Sequence, residues 1–411
     1  MDETDAWDAS TLSVRAALRD AIGAGDGTDP RAAVATVVSV DGSAYRRPGA
    51  KRVLADERAV GAITAGCLEE PVADLAERAL ADGAVRETFD LTGEDDTWSF
   101  GLGCNGVIDV LVEPADGSFR PALDRVRTGG GRTDASRRLP DSQSDRTHAA
   151  LLTVVGGDHP VSGGDGTVPV GARALVGEDG SVASADPRPP LPDDLLAAVR
   201  DRAAAFAAAG RSDTVTVETD RGTAAVFVDG LEPVPELLVF GHGGDVRPVA
   251  RFARDAGFRV TVATSRGARA DAERFPAAHD VVAARPPDVA DAVSRPADTY
   301  AVLMSHNFVD DRLALDALLD CGVPYVGVMG PRKRFDQMRE ALADDGVELS
   351  DDELDRISTP VGLDLGGGEP AQIALSVVAE ALAASNGRTG GRLTDTEGPI
   401  HSRPDRDADS D

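Results

Sequence analysis

Lysine is almost missing from this chain of 411 residues: Lys51 and Lys333 are the only two, and every other base is arginine. With 71 acidic against 42 basic residues, the formal net charge is −29. Such a surface repels phosphodiester backbones and anionic bilayers, which argues against nonspecific nucleic-acid binding and electrostatic docking to a membrane. No apolar run approaches the length needed to span a bilayer, so membrane insertion is not expected. The opening Met1-Asp2-Glu3-Thr4-Asp5 is acidic where a secretory leader would be basic, so no leader is expected either. Three cysteines are too few for a disulfide framework and point to a reducing cytoplasm. The acidic, lysine-poor composition without long acidic blocks is that of a protein adapted to high salt.

What is present begins with Ala62-Ile63-Thr64-Ala65-Gly66-Cys67-Leu68-Glu69-Glu70. A strand ends near Ile63, Gly66 turns the backbone, and Cys67 precedes a run with apolar residues at Val72, Leu75, Ala76, Ala79 and Leu80, which is helical spacing. Pro71 belongs in the first turn of that helix. Cys67 therefore sits near a helix N-terminus, where partial positive charge favours a thiolate. The bland alternative is a buried structural cysteine. Upstream, Val34–Val40 reads as a buried strand, and Lys51–Ala55 with Val60–Ile63 reads as a hairpin. The loop between them concentrates Arg46, Arg47, Lys51 and Arg52, either as partners for local carboxylates or as a cradle for an anionic ligand.

A second cysteine, Cys104, lies in Gly101-Leu102-Gly103-Cys104-Asn105-Gly106 ahead of the strand Val107–Val112. Two cysteines in glycine-rich turns, with no Cys-x-x-Cys and no nearby histidine, do not match a tetrahedral zinc site. They suit two sulfur ligands to a soft centre, a thiol-reactive cofactor, or a redox pair. Residues 115–148 read as a flexible linker. Beyond it the earlier pattern recurs: Ala150–Val155 echoes the strand ending at Val40, and Val170-Gly171-Ala172-Arg173-Ala174-Leu175-Val176 echoes Pro48-Gly49-Ala50-Lys51-Arg52-Val53-Leu54. This second copy carries no cysteine.

Leu237–Phe240, Gly241-His242-Gly243-Gly244-Asp245, a helix through Val249 and Phe252, and the strand Phe258–Ala263 form a βαβ unit with a phosphate-binding type of turn. Val246 stands where a third glycine would be, and Thr264-Ser265-Arg266 offers no acid for a ribose hydroxyl. Ser305-His306-Asn307 follows a strand C-terminus, where open α/β sheets place ligands. For His306, a turn or capping role and a ligand contact both remain open. The expected layout is α/β: an N-terminal α+β region with an internal repeat (1–114, linker 115–148, second copy 149–230), a Rossmann-like domain with a mostly parallel sheet (231–384), and a disordered tail (385–411).

Together these motifs resemble the XdhC/CoxI family, accessory proteins of xanthine and carbon monoxide dehydrogenases. The residues that carry the resemblance are Gly42-Ser43-Ala44, Arg47-Pro48-Gly49-Ala50, Gly66-Cys67-Leu68-Glu69, Cys104, Phe240-Gly241-His242-Gly243, Ser305-His306-Asn307, Tyr325–Arg334 and Pro360–Asp364. The resemblance implies a chaperone without its own turnover, binding the molybdenum cofactor (molybdopterin) through exchange of an oxo for a sulfido ligand. It implies delivery to a molybdenum hydroxylase apo-enzyme, with a cysteine desulfurase as partner and a homodimer as the assembly. Cys67 is then the principal molybdenum ligand and Cys104 a second. Gly66, Glu69, Arg46, Arg47, Lys51, Gly241, Gly243, Gly244 and His306 complete the cofactor contacts, with a nucleotide possible in principle at the Rossmann turn. An NAD(P)-binding oxidoreductase and a thiol redox sensor are the alternatives.

Overall fold

The computed structural model describes residues 9–23, 30–55, 58–92, 105–127, 148–161 and 166–395. Two compact units divide the chain, residues 1–233 and 234–411.

The first unit opens with helix α1 (Thr11–Gly23) and then builds a five-stranded sheet. Its strands are β1 (Ala32–Ser43), β2 (Lys51–Ala55), β3 (Arg58–Val60), β4 (Val85–Asp90) and β5 (Asn105–Pro114), with helix α2 (Glu69–Asp82) between β3 and β4. After a short helix α3 (Arg120–Arg125) come β6 (Ala149–Gly157), β7 (Arg173–Gly177), β8 (Val182–Ser184), helix α4 (Asp193–Ala209), β9 (Ser212–Thr219) and β10 (Gly222–Leu231). The sheet orders, β3-β2-β1-β5-β4 and β8-β7-β6-β10-β9, are the same order offset by five, and every pairing is antiparallel.

The repeat holds residue by residue. The register of β1 against β5 slips at Val38, and that of β6 against β10 slips at Val155. Gly49 and Gly171 take φ of 96° and 91°, a conformation glycine reaches without Cβ strain. Their N–H groups donate to Val37 and Val154 carbonyls at 2.9 and 2.8 Å. The glycine in each copy therefore exists to close the same turn onto the same strand.

The central strands β1 and β6 are buried on both faces over most of their length. In β1, Ala33, Ala35 and Val37 pack under α2 with Val72, Leu75 and Ala79, while Val34 points the other way. In the second copy, Ala150, Leu152 and Val154 pack under α4 with Leu195, Val199 and Ala203. The inner faces meet each other: Val34 and Val53 share a core with Leu151 and Leu175, and Val38 and Leu111 share one with Val155 and Phe227. Burial on both faces explains why these strands read as continuous apolar runs rather than alternating ones.

Four charges sit in or at the edge of this inner layer. Lys51 of the first copy pairs with Asp229 of the second at 2.6 Å, and Arg173 of the second pairs with Glu113 of the first. The registers make Lys51 and Arg173 equivalent, opposite Thr36 and Thr153, and make Glu113 and Asp229 equivalent, opposite Val34 and Leu151. The copies thus exchange a cation for a carboxylate in both directions. Arg173 also donates to Ser118 Oγ at 2.9 Å and lies 4.5 Å from the Phe119 ring centroid.

Residues 115–127, expected to open a linker, are instead folded. Asp116 accepts from the Ser118 N–H at 3.0 Å to start a turn into α3, and Ala115, Phe119, Ala122 and Leu123 join the core between the sheets. The apolar positions are too few to show a period, and the turn is made by a side-chain cap. Residues 128–147 of the expected linker lie outside the described residues, as do 396–411 of the tail.

The second unit is a six-stranded, wholly parallel sheet of β11 (Glu236–Phe240), β12 (Arg259–Thr264), β13 (Asp280–Ala283), β14 (Thr299–Leu303), β15 (Tyr325–Val328) and β16 (Ile357–Ser358), in the order β13-β12-β11-β14-β15-β16. Helices α5 (Val246–Asp255) and α9 (Pro370–Ser385) cover Leu237 and Val239 on one face. On the other, α6 (Phe308–Cys321) and α7 (Arg332–Asp344) cover Leu238 and Phe240; α8 (Asp351–Asp355) leads into β16. This is a doubly wound Rossmann arrangement, whose strand order reverses between β11 and β14.

The Arg173–Glu113 pair is fully buried, whereas the Lys51 side chain is 15% exposed. Arg173→Ala is expected to cost about 3 kcal/mol, because it leaves the buried Glu113 carboxylate with only the more distant Arg188, 3.9 Å away. Lys51→Ala is expected to cost less. Urea unfolding of both variants checks the order; equal losses would contradict the buried exchange.

Candidate functional site

Two sites emerge, one in each unit. The first lies between β3 and α2. After β3 the chain passes Gly61, where a Cβ would run into the Lys51 carbonyl, so only glycine fits beneath the strand. Ile63 and Thr64 are buried, and Thr64 Oγ1 accepts the Leu68 N–H at 3.4 Å. Ala65 and Gly66 are exposed, and Gly66 turns the backbone at φ 111°. Cys67 follows half-buried, packed against the core under α2, as a thiol rather than half of a disulfide. Leu68 is the N-cap, Glu69 and Glu70 are the first two helical residues, and Pro71 falls in the first turn as its missing N–H requires. Cys67 therefore lies immediately before a helix N-terminus, whose dipole favours negative charge. The carboxylates of Glu69 and Glu70 complement the same dipole.

The expected cationic cradle is divided by the fold. Arg46 and Arg47 are exposed on the loop after β1. Lys51 is committed to Asp229. Arg52, 3% exposed, donates to the Gly61 carbonyl at 3.3 Å and lies 3.6 Å from Glu69 Oε1. The structure thus brings Arg52, Glu69 and the Cys67 turn together and takes Lys51 elsewhere. Cys104 lies outside the described residues. Among the described residues, no group of three or more His, Cys, Asp or Glu side chains is placed to hold a metal ion.

The second site is the crevice at the C-terminal ends of β11 and β14. Gly241 ends β11 where a Cβ would come 2.8 Å from the Met304 carbonyl, so glycine lets the two strand ends close. A Cβ on Gly243 would meet the Asp245 carboxylate, whereas Gly244 has open space around it. Asp245 Oδ2 pairs with His306 Nε2 at 2.7 Å, and His306 holds a left-handed φ of 60° to present its ring there. Asn307, not His306, caps α6: its side chain accepts the Val309 and Asp310 N–H groups, each at 3.0 Å. Ser305 N–H donates to Asp311 at 3.1 Å, and Asp311 is also held by Arg334 at 2.8 Å.

Sequence reasoning assigned no individual role to three groups here. His242 Nδ1 is buried with no hydrogen-bond partner. Burial first, then the charges of Arg269 and Arg266, hold the His242 imidazole below its ordinary value. Asp310 brings a carboxylate to the end of β12 by accepting from Ser265 Oγ at 2.8 Å. Asp245 was the discoverable one, since an acid entering a helix after a glycine turn is a visible signal; the others depend on contacts between distant segments.

The XdhC Rossmann domain profile matches residues 237–381, and the XdhC and CoxI family profile matches residues 28–90, across the Cys67 turn. The chain belongs to the XdhC and CoxI family. A probable xanthine dehydrogenase subunit from Bacillus subtilis (strain 168) is 28% identical to it over 357 residues, 85% of this chain and 92% of that protein. The uncharacterized protein YqeB of Escherichia coli (strain K12) is 28% identical over 173 residues, 42% of this chain and 31% of that protein. The crystal structure of a xanthine dehydrogenase from Bacillus halodurans matches this XdhC/CoxI-family chain with a TM-score of 0.65 and 24% identity. That match covers 92% of this chain and 96% of the other, and it shows the fold alone.

Neighbouring cations disfavour an imidazolium. Arg266→Ala and Arg269→Ala are therefore each expected to raise the titration midpoint of His242 toward the ordinary histidine value. Histidine Cε1–H NMR titration, with His242→Gln for assignment, measures this. An unmoved midpoint in both variants would mean that the two arginines do not act on the ring.

Proposed function

We propose that this protein is an accessory factor of a xanthine dehydrogenase-type molybdenum hydroxylase, binding the molybdenum cofactor at the Cys67 turn and passing it to the apo-enzyme. The observation that carries the reading is the Cys67 thiol, half-buried directly before α2 and beside two exposed turn residues. The family membership and the name of the Bacillus subtilis relative support the same direction.

The residues present fit the group. A thiolate is a soft ligand suited to a sulfur-rich molybdenum centre, and the helix N-terminus stabilises the anionic form that ligation requires. When bound, the cofactor supplies the molybdenum and dithiolene that the client enzyme uses for hydroxylation. Cys67 holds the metal, the core under α2 fixes the thiol's position, and the Ala65-Gly66 turn leaves one side open for exchange and release. Nothing in this role requires turnover by the protein itself. A cysteine desulfurase as sulfur donor and a homodimeric assembly belong to the proposal.

A nucleotide in the crevice of the second unit is the other reading, favoured by Asp310 at the end of β12, where a ribose hydroxyl would need an acceptor. The Asp245 carboxylate at the N-cap of α5 opposes it, since that charge occupies the position a pyrophosphate would seek.

Reduced protein incubated in high salt with released cofactor is expected to retain molybdenum and pterin near one equivalent. Cys67→Ala should lower retention by about tenfold or more, the scale on which even the groups supporting a metal ligand act. Absence of binding by folded wild-type protein would overturn the reading, and nicotinamide titration of the second unit would then test the other.

A further inference from the structure

The repeat provides an internal comparison for the Cys67 site. Glu69 opens α2, and Asp193 and Asp194 open α4 at the corresponding point of the second copy. Asp194 is well partnered: its Oδ2 lies 3.1 Å from His159 Nε2, and Arg221 is 3.5 Å from its Oδ1. Glu69 differs. Both of its carboxylate oxygens are buried, and neither accepts a hydrogen bond. Buried carboxylates are normally hydrogen-bonded, so an orphan on both oxygens marks a missing donor.

The nearest cation does not fill that gap. Arg52 stands 3.6 Å from Oε1, which balances charge but exceeds a hydrogen bond, and its own Nε is also buried without a partner. Arg52 is itself confined to the cysteine-bearing copy. The register places Ala174 at its equivalent, opposite Leu152 as Arg52 is opposite Ala35, and Ala174 simply packs into the core under α4. The buried cation, the unsatisfied carboxylate and the cysteine thus occur together in one copy and are all absent from the other.

We propose that Glu69 is the acceptor for a pair of adjacent N–H donors on the ligand, the 2-amino-4-oxopyrimidine edge of a pterin. That edge presents an exocyclic amino N–H and a ring N–H side by side, matched to the two oxygens of one carboxylate as a guanidinium fork is. Arg52, behind the carboxylate, balances the charge that such a buried acceptor must carry. The assignment rests on the cofactor-binding reading above and names the part of the ligand that Glu69 selects, while Cys67 addresses the metal.

The test uses the full-length protein in high salt and fluorescence titration with three metal-free probes: 6-hydroxymethylpterin, lumazine (the pteridine with a 2-oxo group in place of the 2-amino group) and GMP, whose guanine carries the same edge. Wild-type protein is expected to prefer the pterin over lumazine by about 30-fold or more, because a carboxylate built to accept two N–H bonds is left facing a carbonyl. Glu69→Gln should abolish that preference. Equal affinity for the two pteridines, a preference that survives in Glu69→Gln, or no pterin binding by folded protein would overturn the assignment. Tighter binding of GMP than of the pterin would also overturn it, moving the edge to a guanine nucleotide. If Glu69→Gln fails to fold with Arg52 uncompensated, Glu69→Asp, which keeps the charge but draws the carboxylate back, should weaken the preference and serves in its place. The probes carry no molybdenum, so failure here leaves the Cys67 assignment standing, and loss of molybdenum retention leaves this one standing.

Discussion

In each five-stranded sheet of the first unit the central strand is apolar on both faces while one long helix covers only the outer face, and that imbalance governs the rest. The inner faces are buried against each other, with Leu18 and Ile22 of α1 and Ala122 and Leu123 of α3 sharing that core, so the copies form a sandwich with α2 and α4 outside. Charges carried to the edge of that inner layer cannot be left alone. Lys51 finds Asp229, and Arg173 finds Glu113. A buried pair of this kind contributes little net stability over apolar packing, but it penalises any other alignment by leaving charges unpaired. The exchange is reciprocal because the copies are related, and it fixes β2 in the register that the Cys67 turn depends on.

Strand β2 shows how one constraint shapes a site. Lys51 and Arg52 are neighbours in sequence, but neighbours in a strand point to opposite faces. Lys51 goes inward to the second copy, and Arg52 goes outward to the start of α2 and Glu69. Four bases between Arg46 and Arg52 read as one cluster in the sequence, yet the pleat separates two of them by a whole sheet. The site keeps a single buried cation, supplied from the strand that the sandwich holds most firmly.

Much of this fold was legible. The echo of residues 48–54 in 170–176 survives down to matched glycines because turn chemistry and strand period are local properties. The helix after Cys67 was readable from its spacing and from Pro71, and the Rossmann order follows from buried strands alternating with helices. What was hidden is pairing across distance. His306 meets Asp245 over 61 residues and Ser265 meets Asp310 over 45, and no periodicity encodes either. The folded segment 115–127 was hidden for another reason: its cap, a short turn and four apolar residues resemble linker composition until a core exists to receive them.

The two copies also divide labour in a way composition could not show. In the second copy, the carboxylate opening α4 has its histidine and arginine, and the position of Arg52 is an alanine packed in the core. The helix start of that copy thus has its carboxylate satisfied internally, as suits an element whose task is to bury its partner's face. The first copy keeps a thiol, a buried cation and a carboxylate with no hydrogen bond at the same helix start. An unsatisfied group is costly in a fold with no use for it, and here an otherwise matched copy shows that the fold can be built without it. The asymmetry within one repeat therefore supports the proposed ligand site in the first copy more firmly than the cysteine does alone.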